Sequence, residues 1–204
     1  MTRRAIALKH FKRVDSRLYR ATARHHASLP TELSKKRTRR QLFESLISIV
    51  ISQQLGTAVA DTIFIRVKKA CGSNITPESI LETPPAALRS AGLSGSKVKT
   101  LLAIALSVKN NELDLLSLKR ISETDGAERL MRVRGLGPWS VEMFMMFALG
   151  RSDVFSAGDL GLIRAMETIY ELPKGSSREV LLAISQKWSP HRTYASLLLW
   201  ATRD

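Results

Sequence analysis

Asp159 is the carboxylate whose sequence neighbours invite chemistry. It follows Ala157-Gly158 and precedes Leu160-Gly161-Leu162-Ile163-Arg164-Ala165-Met166, so it stands at the head of an apolar helical stretch. By residue type alone this is an N-cap, an oxygen acceptor for the N–H groups that a helix start leaves without partners. Upstream, Met131-Arg132-Val133-Arg134-Gly135-Leu136-Gly137-Pro138-Trp139-Ser140 reads as a helix end, a tight glycine hairpin and the start of a second helix. Gly135 and Gly137 permit the backbone torsions that so short a connection needs, and Pro138 suits a first helical position because it has no N–H to leave unpaired. Such a hairpin aims amide donors and the positive end of a helix dipole at an anion, for instance a DNA phosphate.

These groups need rigid elements behind them, and the sequence offers helices. Apolar residues recur at helical spacing, and strict alternation over a strand length is hard to find. Leu42, Phe43, Leu46, Ile47, Ile49 and Val50 are apolar almost all round, the mark of a helix buried in the centre. Gln53 and Gln54 fall at its end. Further helices are expected over 57–70, after Thr76-Pro77 and after Thr83-Pro84-Pro85 with threonine as cap and proline in the first turn. Others follow over 97–108, 127–133, 138–149, 160–170, 178–188 and 190–200. The Met143-Phe144-Met145-Met146-Phe147 run is core filling.

The chain has 204 residues, with 32 Lys and Arg against 18 Asp and Glu, a formal charge of +14. A polyanionic partner follows. Residues 1–40 hold 13 basic and 2 acidic side chains, so most of the excess sits in an N-terminal arm or basic face, read either as simple solvation or as a phosphate contact. No apolar run approaches the roughly 18 residues of a membrane span. The single cysteine, Cys71, forms no internal disulfide, and the four histidines have no zinc-site spacing. A reducing compartment fits: the cytoplasm of a bacterium, or the nucleus of a eukaryote. The start is too short in apolar residues for a secretory signal, while its Arg-rich, acid-poor character leaves organellar targeting as an alternative.

Taken together, the stretch from Met131 to Arg164 resembles the helix-hairpin-helix DNA glycosylases, and among them the 3-methyladenine DNA glycosylase II family. Ile51-Ser52-Gln53-Gln54-Leu55 is similar to that family's helix-end motif. Ala91-Gly92-Leu93-Ser94 with Lys97 is similar to its preceding helix connection, and Trp188-Ser189-Pro190-His191-Arg192 with Ala195 and Trp200 to its C-terminal signature. Four motifs in the family's order, from about Val14 to Trp200, make a specific match.

The resemblance implies an all-α fold of two packed helical subdomains with a cleft between them: a single glycosylase unit over 1–204, with one subdomain of about 1–40 plus 165–204 and another of about 41–164 carrying the hairpin at 131–149. It implies base excision repair of alkylation damage, by hydrolysis of the N-glycosidic bond of a flipped alkylated purine of the 3-methyladenine or 7-methylguanine type. Asp159 becomes the catalytic carboxylate, a role compatible with capping, because backbone N–H donors and the dipole favour the anion. Trp139 stands where the superfamily's bifunctional lyases carry a lysine; an indole forms no Schiff base, so AP lyase activity is not expected. Its face suits a cationic base, although a core tryptophan is the alternative. Leu55 becomes the apolar wedge that enters the stack when a base is flipped, against a plain helix-terminal core leucine. Gln53, Gln54, Arg134, Gly135, Leu136, Gly137 and Ser140 become DNA-binding residues, though Gln53 could equally cap its own helix. No organic cofactor is implied; an alkali cation at the hairpin carbonyls of Arg134 and Leu136 is. One cysteine excludes the iron–sulfur branch, which needs four clustered thiolates. A monomer acting on double-stranded DNA that contains alkylated bases is expected.

Two departures stand beside the wedge. Many relatives have a polar or basic residue and then a lysine there, whereas this chain has Gly56 and Ala58, which puts a minor-groove probe and one phosphate contact in question. They leave room for a lesion- or junction-binding protein that cuts nothing. A uracil or mismatch glycosylase is a third reading, since pocket shape is not written in the sequence.

Overall fold

The computed structural model describes residues 1–33 and 36–203. Among these residues twelve α-helices succeed one another: α1 Arg3–Val14, α2 Ser16–Ala21, α3 Arg39–Ser52, α4 Thr57–Ala70, α5 Pro77–Glu82, α6 Pro85–Ser90, α7 Gly95–Lys109, α8 Glu123–Met131, α9 Pro138–Met143, α10 Leu160–Tyr170, α11 Arg178–Ser185 and α12 Arg192–Ala201. Among the described residues there is no strand, and no helix is long and apolar enough to cross a membrane. The all-helical expectation is met, and the helix starts follow local chemistry. Ser94, Ser122, Asp159 and Ser177 each accept a backbone N–H of the first turn that follows, as N-caps do.

Two units emerge from the packing, Lys36–Leu149 and Met1–Lys35 with Gly150–Asp204. In the middle unit α3 is the axis: Leu42, Phe43, Leu46, Ile47, Val50 and Ile51 are buried, and α3 packs against α4, α7, α9 and the turn after α9. In the terminal unit Ala7, Phe11, Leu18, Leu162, Met166, Trp188, Tyr194 and Leu198 share one core. The expected boundary near 165 is corrected to 150, because Phe155 and Ala157 are buried in that core and Asp153 pairs with Arg192 at 2.8 Å. Asp159 therefore belongs to the terminal unit.

Several local expectations are also revised. The N-terminal basic stretch is no arm: Thr2 caps α1, and Ala7 and Phe11 are fully buried. Much of its charge is used internally, Arg4 on the carbonyls of Ala27 and Leu29, Arg37 on that of Phe147 and Arg39 on that of Val108. Lys9, Lys12 and Arg13 on α1 and Arg20 on α2 remain on the surface; Lys35 lies outside the described residues. Thr83 does not open α6. It closes α5, its hydroxyl donating to the Ser79 carbonyl at 2.6 Å, and Pro84 takes the cap position. The helix begun at Pro138 widens to a π-helix over Phe144–Leu149, a form found as short insertions in helices that side-chain periodicity does not announce. Pro190 precedes α12, behind a cis peptide bond.

Candidate active site

In the terminal unit the candidate chemistry centres on Asp159. It caps α10, and its Oδ1 accepts two hydrogen bonds, from Leu162 N–H at 3.0 Å and from the Trp200 indole Nε1–H at 2.9 Å. Gly161 makes this approach possible: a Cβ there would lie 3.0 Å from Trp200 Cδ1 and 3.1 Å from Asp159 Oδ1. Trp200 and Gly161 thus shape the surroundings of Asp159, a place that the sequence, where Trp200 is part of the C-terminal signature and Gly161 only a residue that comes after the acid, does not announce. The signal for them is weak, a glycine in the first turn of an otherwise apolar helix.

A second aspartate shows what the structural alternative looks like. Asp15 caps α2 and accepts from Leu18 N–H, from the Tyr170 hydroxyl at 2.7 Å and from the Trp188 indole at 2.9 Å. Burial pushes the Tyr170 hydroxyl well above its ordinary value, and its bond to Asp15 adds to this. Asp15 is only 8% exposed, a sealed hub between α1, α2 and the Trp188 turn. Asp159, which likewise accepts from a backbone N–H and an indole, is half-buried and can meet solvent. Nearby, burial raises the Asp153 carboxyl, yet hydrogen bonds from Arg192 and Ser189 outweigh it and leave its pKa lowered.

In the middle unit the hairpin joins α8 to α9. Gly135 has φ +92°, and a Cβ on it would fall 1.9 Å from Thr100 Oγ1, so both torsion and space demand glycine. Gly137 does not share that need: its φ is −93° and nothing lies within 4 Å of its Cβ position. Pro138 takes the first helical position as expected. Leu136 is 5% exposed, and its N–H donates to the Val133 carbonyl, so it stiffens the turn instead of presenting a donor. Arg134 is exposed and Trp139 half-buried. Ser140 is 1% exposed, and its hydroxyl accepts from Gln53 Nε2 at 2.7 Å.

Gln53 therefore reaches across to the hairpin, with Gly135 O at 3.5 Å as a second acceptor. The backbone beside it turns sharply. Gln53 has φ/ψ of −49°/125°, Gln54 has φ +58°, and Leu55 N–H donates to Ser52 O at 3.1 Å, the pattern of a type II β-turn. Leu55 stands at its end, 37% exposed. It is no core leucine. Lys97 closes the arrangement, its Nζ donating to Ile51 O at 2.7 Å and Gln53 O at 2.8 Å. Among the described residues no group of three or more His, Cys, Asp or Glu is placed to hold a metal ion.

With this geometry in hand, the comparisons are specific. Residues 47–191 match the model of the HhH-GPD superfamily of base excision DNA repair proteins. DNA-3-methyladenine glycosylase 1 of Schizosaccharomyces pombe is 34% identical over 167 residues, covering 80% of this chain and 73% of that protein. The solved structure of S. pombe Mag1 in complex with abasic DNA superposes with a TM-score of 0.80 at 30% identity, over 96% of this chain and 95% of that one. A DNA-3-methyladenine glycosidase from Bacillus halodurans gives 0.78 at 33% identity, over 96% and 88%. A match across most of the length, hairpin and acidic helix head included, leaves one assignment: the chain belongs to the HhH-GPD superfamily of base excision DNA repair proteins.

Proposed function

We propose that this protein is a monofunctional DNA glycosylase that extrudes alkylated purines from duplex DNA and hydrolyses their N-glycosidic bond. The observation that carries the proposal is Asp159, a half-buried carboxylate fixed by Leu162 N–H and the Trp200 indole in a chain whose relatives are DNA-3-methyladenine glycosylases.

Alkylation leaves the purine cationic, so the C1′–N bond breaks with its electron pair passing to the base, which departs neutral. Positive charge moves to the sugar. A fixed anion about 4 Å away, at an effective dielectric constant of about 20, is worth about 4 kcal/mol, and it acts on the transition state more than on the ground state. Water then adds to C1′ and gives up a proton, which the same carboxylate is suited to receive. Two hydrogen bonds on Oδ1 keep the carboxylate from turning away.

Trp139 supplies the aromatic face for the cationic base, worth roughly 2 kcal/mol when desolvated. Because no amine stands at that position, hydrolysis ends at the abasic site, and borohydride treatment on abasic DNA is expected to trap no covalent adduct. Leu55 fills the space left by the base, with Gln54 beside it. Arg134 and the amides at the start of α9 engage phosphate, held in place by Gly135, by the buried Leu136 and Ser140 and by the half-buried Gln53. The carbonyls of Val133, Gly135 and Gly137 are engaged by Leu136 N–H, the Gln53 amide and Val141 N–H. Those of Arg134 and Leu136 are the hairpin oxygens suited to a hard alkali cation, which would brace the turn. The protein is expected to act as a monomer and to need no organic cofactor.

The test is base release from methylated and from uracil-containing duplex, with Asp159→Asn as control. Asparagine keeps an oxygen for both donors, so the cap survives and only the charge is lost. Free methylpurine from the wild type, with a rate about a thousandfold lower in the variant, supports the proposal. Release of uracil alone changes the substrate class, and binding without release of either base overturns the enzyme.

A further inference from the structure

The turn that carries Gln54 and Leu55 is strained and is held from outside. A type II turn needs φ > 0 at its third residue, a place for glycine or asparagine, and here the residue is Gln54 at φ +58°. Such a conformation persists only where the surroundings over-determine it. The flipped peptide between Gln53 and Gln54 turns its carbonyl outward, and Lys97 Nζ captures it at 2.8 Å while also taking Ile51 O at 2.7 Å. The ammonium thus sits at the C-terminus of α3, where orphan carbonyls and the helix dipole favour a cation. Lys97 is fixed in turn near the start of α7, its own N–H donating to the capping Ser94. On the other side of the turn the Gln53 side chain donates to Ser140 Oγ at 2.7 Å, in the first turn of α9. Gly135, beside it, packs against Thr100 of the same α7. The wedge turn and the hairpin are therefore referenced to one helix, α7, and bridged by one glutamine.

We propose that Lys97, acting with Gln53, is a positioning residue for base extrusion, locking the Gln54-Leu55 turn at a fixed spacing from the hairpin so that the wedge enters the duplex in register with the phosphate contact. It touches neither substrate nor reacting atoms. The inference rests on the glycosylase reading and on Leu55 as wedge, and it makes a demand that general stabilisation does not. Work done to open the stack depends on Lys97, whereas bond cleavage in an already extruded nucleotide does not.

The experiment compares single-turnover release of one alkylated purine from a fully paired duplex and from the same sequence with the lesion in an unpaired bulge, using Lys97→Met and Lys97→Arg. A 2-aminopurine beside the lesion reports unstacking. Loss of two charge-assisted hydrogen bonds is expected to lower the paired-duplex rate by about tenfold or more, with the bulge rate within about twofold of wild type. The 2-aminopurine signal falls in parallel. Lys97→Arg, which keeps two donors and the charge, restores most of the ratio. Amide hydrogen exchange reads the lock without activity: exchange at Leu55 N–H quickens in Lys97→Met, measurable even if that variant cleaves nothing. Equal losses on both substrates, no rescue by arginine, or unchanged exchange at Leu55 each overturn the proposal. Failure of the wild type to release base from either substrate would instead overturn the glycosylase reading.

Discussion

Replacing Trp200 by phenylalanine removes one hydrogen bond from Asp159 while keeping an aromatic ring on α12. Donors to the carboxylate Oδ1 include Leu162 N–H at 3.0 Å and Trp200 Nε1 at 2.9 Å; the first holds it to its own helix and the second helps to fix its direction. A hydrogen bond to a charged group contributes about 1.5–3 kcal/mol. If all of it reaches the transition state, the rate falls by about 10- to 150-fold. Because Asp159 is half-buried, water replaces part of the missing bond, and the lower end, about tenfold, is the expected result. Affinity for lesion DNA should stay within about twofold, since an interaction realised in the transition state lowers kcat and kcat/KM together. Single-turnover release of methylpurine and fluorescence anisotropy with the same duplex measure the two quantities. Gly161→Ala tests the geometry from the other side: its Cβ, 3.0 Å from Trp200 Cδ1 and 3.1 Å from Asp159 Oδ1, wedges the pair apart without removing the donor, and the rate falls likewise. A Trp200→Phe rate equal to or above wild type would refute the reasoning, because the indole bond would then be a packing detail.

Other outcomes follow from the same coordinates. Gly135→Ala combines a positive φ, about 1–2 kcal/mol, with overpacking against Thr100, about 1–3 kcal/mol, so thermal melts should show a loss of several degrees together with weaker DNA binding; Gly137→Ala should melt like wild type, and equal behaviour of the two would contradict the hairpin geometry. Changing Lys9, Lys12, Arg13 and Arg20 together to glutamine keeps the buried Ala7 and Phe11 of α1 and tests whether that face meets phosphate. Every phosphate that the face neutralises adds about 0.9 to the slope of log affinity against log salt, so the variant should show a shallower slope, and an unchanged slope assigns the charge to solvation. Burial lowers the pKa of His191, with the His10 charge adding to this and Asp153 opposing it, and burial likewise lowers His26. Their folded pKa values thus lie below the unfolded 6.5, the unfolded chain binds more protons in that interval, and stability is full above the interval and falls as pH drops through it. Urea unfolding between neutral pH and about pH 5 should show this decline, shallower in His191→Gln; a slope unchanged by that substitution would argue against the buried histidine. Asp153, whose pKa is lowered, stabilises the fold throughout this range and loses that contribution only as pH falls further, below the ordinary carboxylate range.

Much of the candidate site was legible because its signals are local. An aspartate before Leu160-Gly161-Leu162 caps the helix that follows, and a proline after Gly137 opens another; these are decided within one turn by which N–H groups lack partners. Where local signals compete, reading fails. Thr83 has cap chemistry on both sides and serves the helix behind it, while the widening after Met143 leaves the apolar pattern intact. The basic N-terminus misleads for a related reason: charge counts ignore that Ala7 and Phe11 are spaced i, i+4 and bury one face of α1.

By itself, then, the sequence determined the helical class, the hairpin and the acid at the head of α10, since each depends on neighbours a few residues away. Only the tertiary structure decided that Trp200 binds Asp159 across 41 residues, that Gln53 reaches Ser140 across 87 and that Lys97 clamps the carbonyl of Gln53 across 44. It also decided that Gly135, and not Gly137, must be glycine. Those partners meet because separate helices pack on shared cores, and side-chain periodicity records which face is buried but not which distant residue lies opposite it.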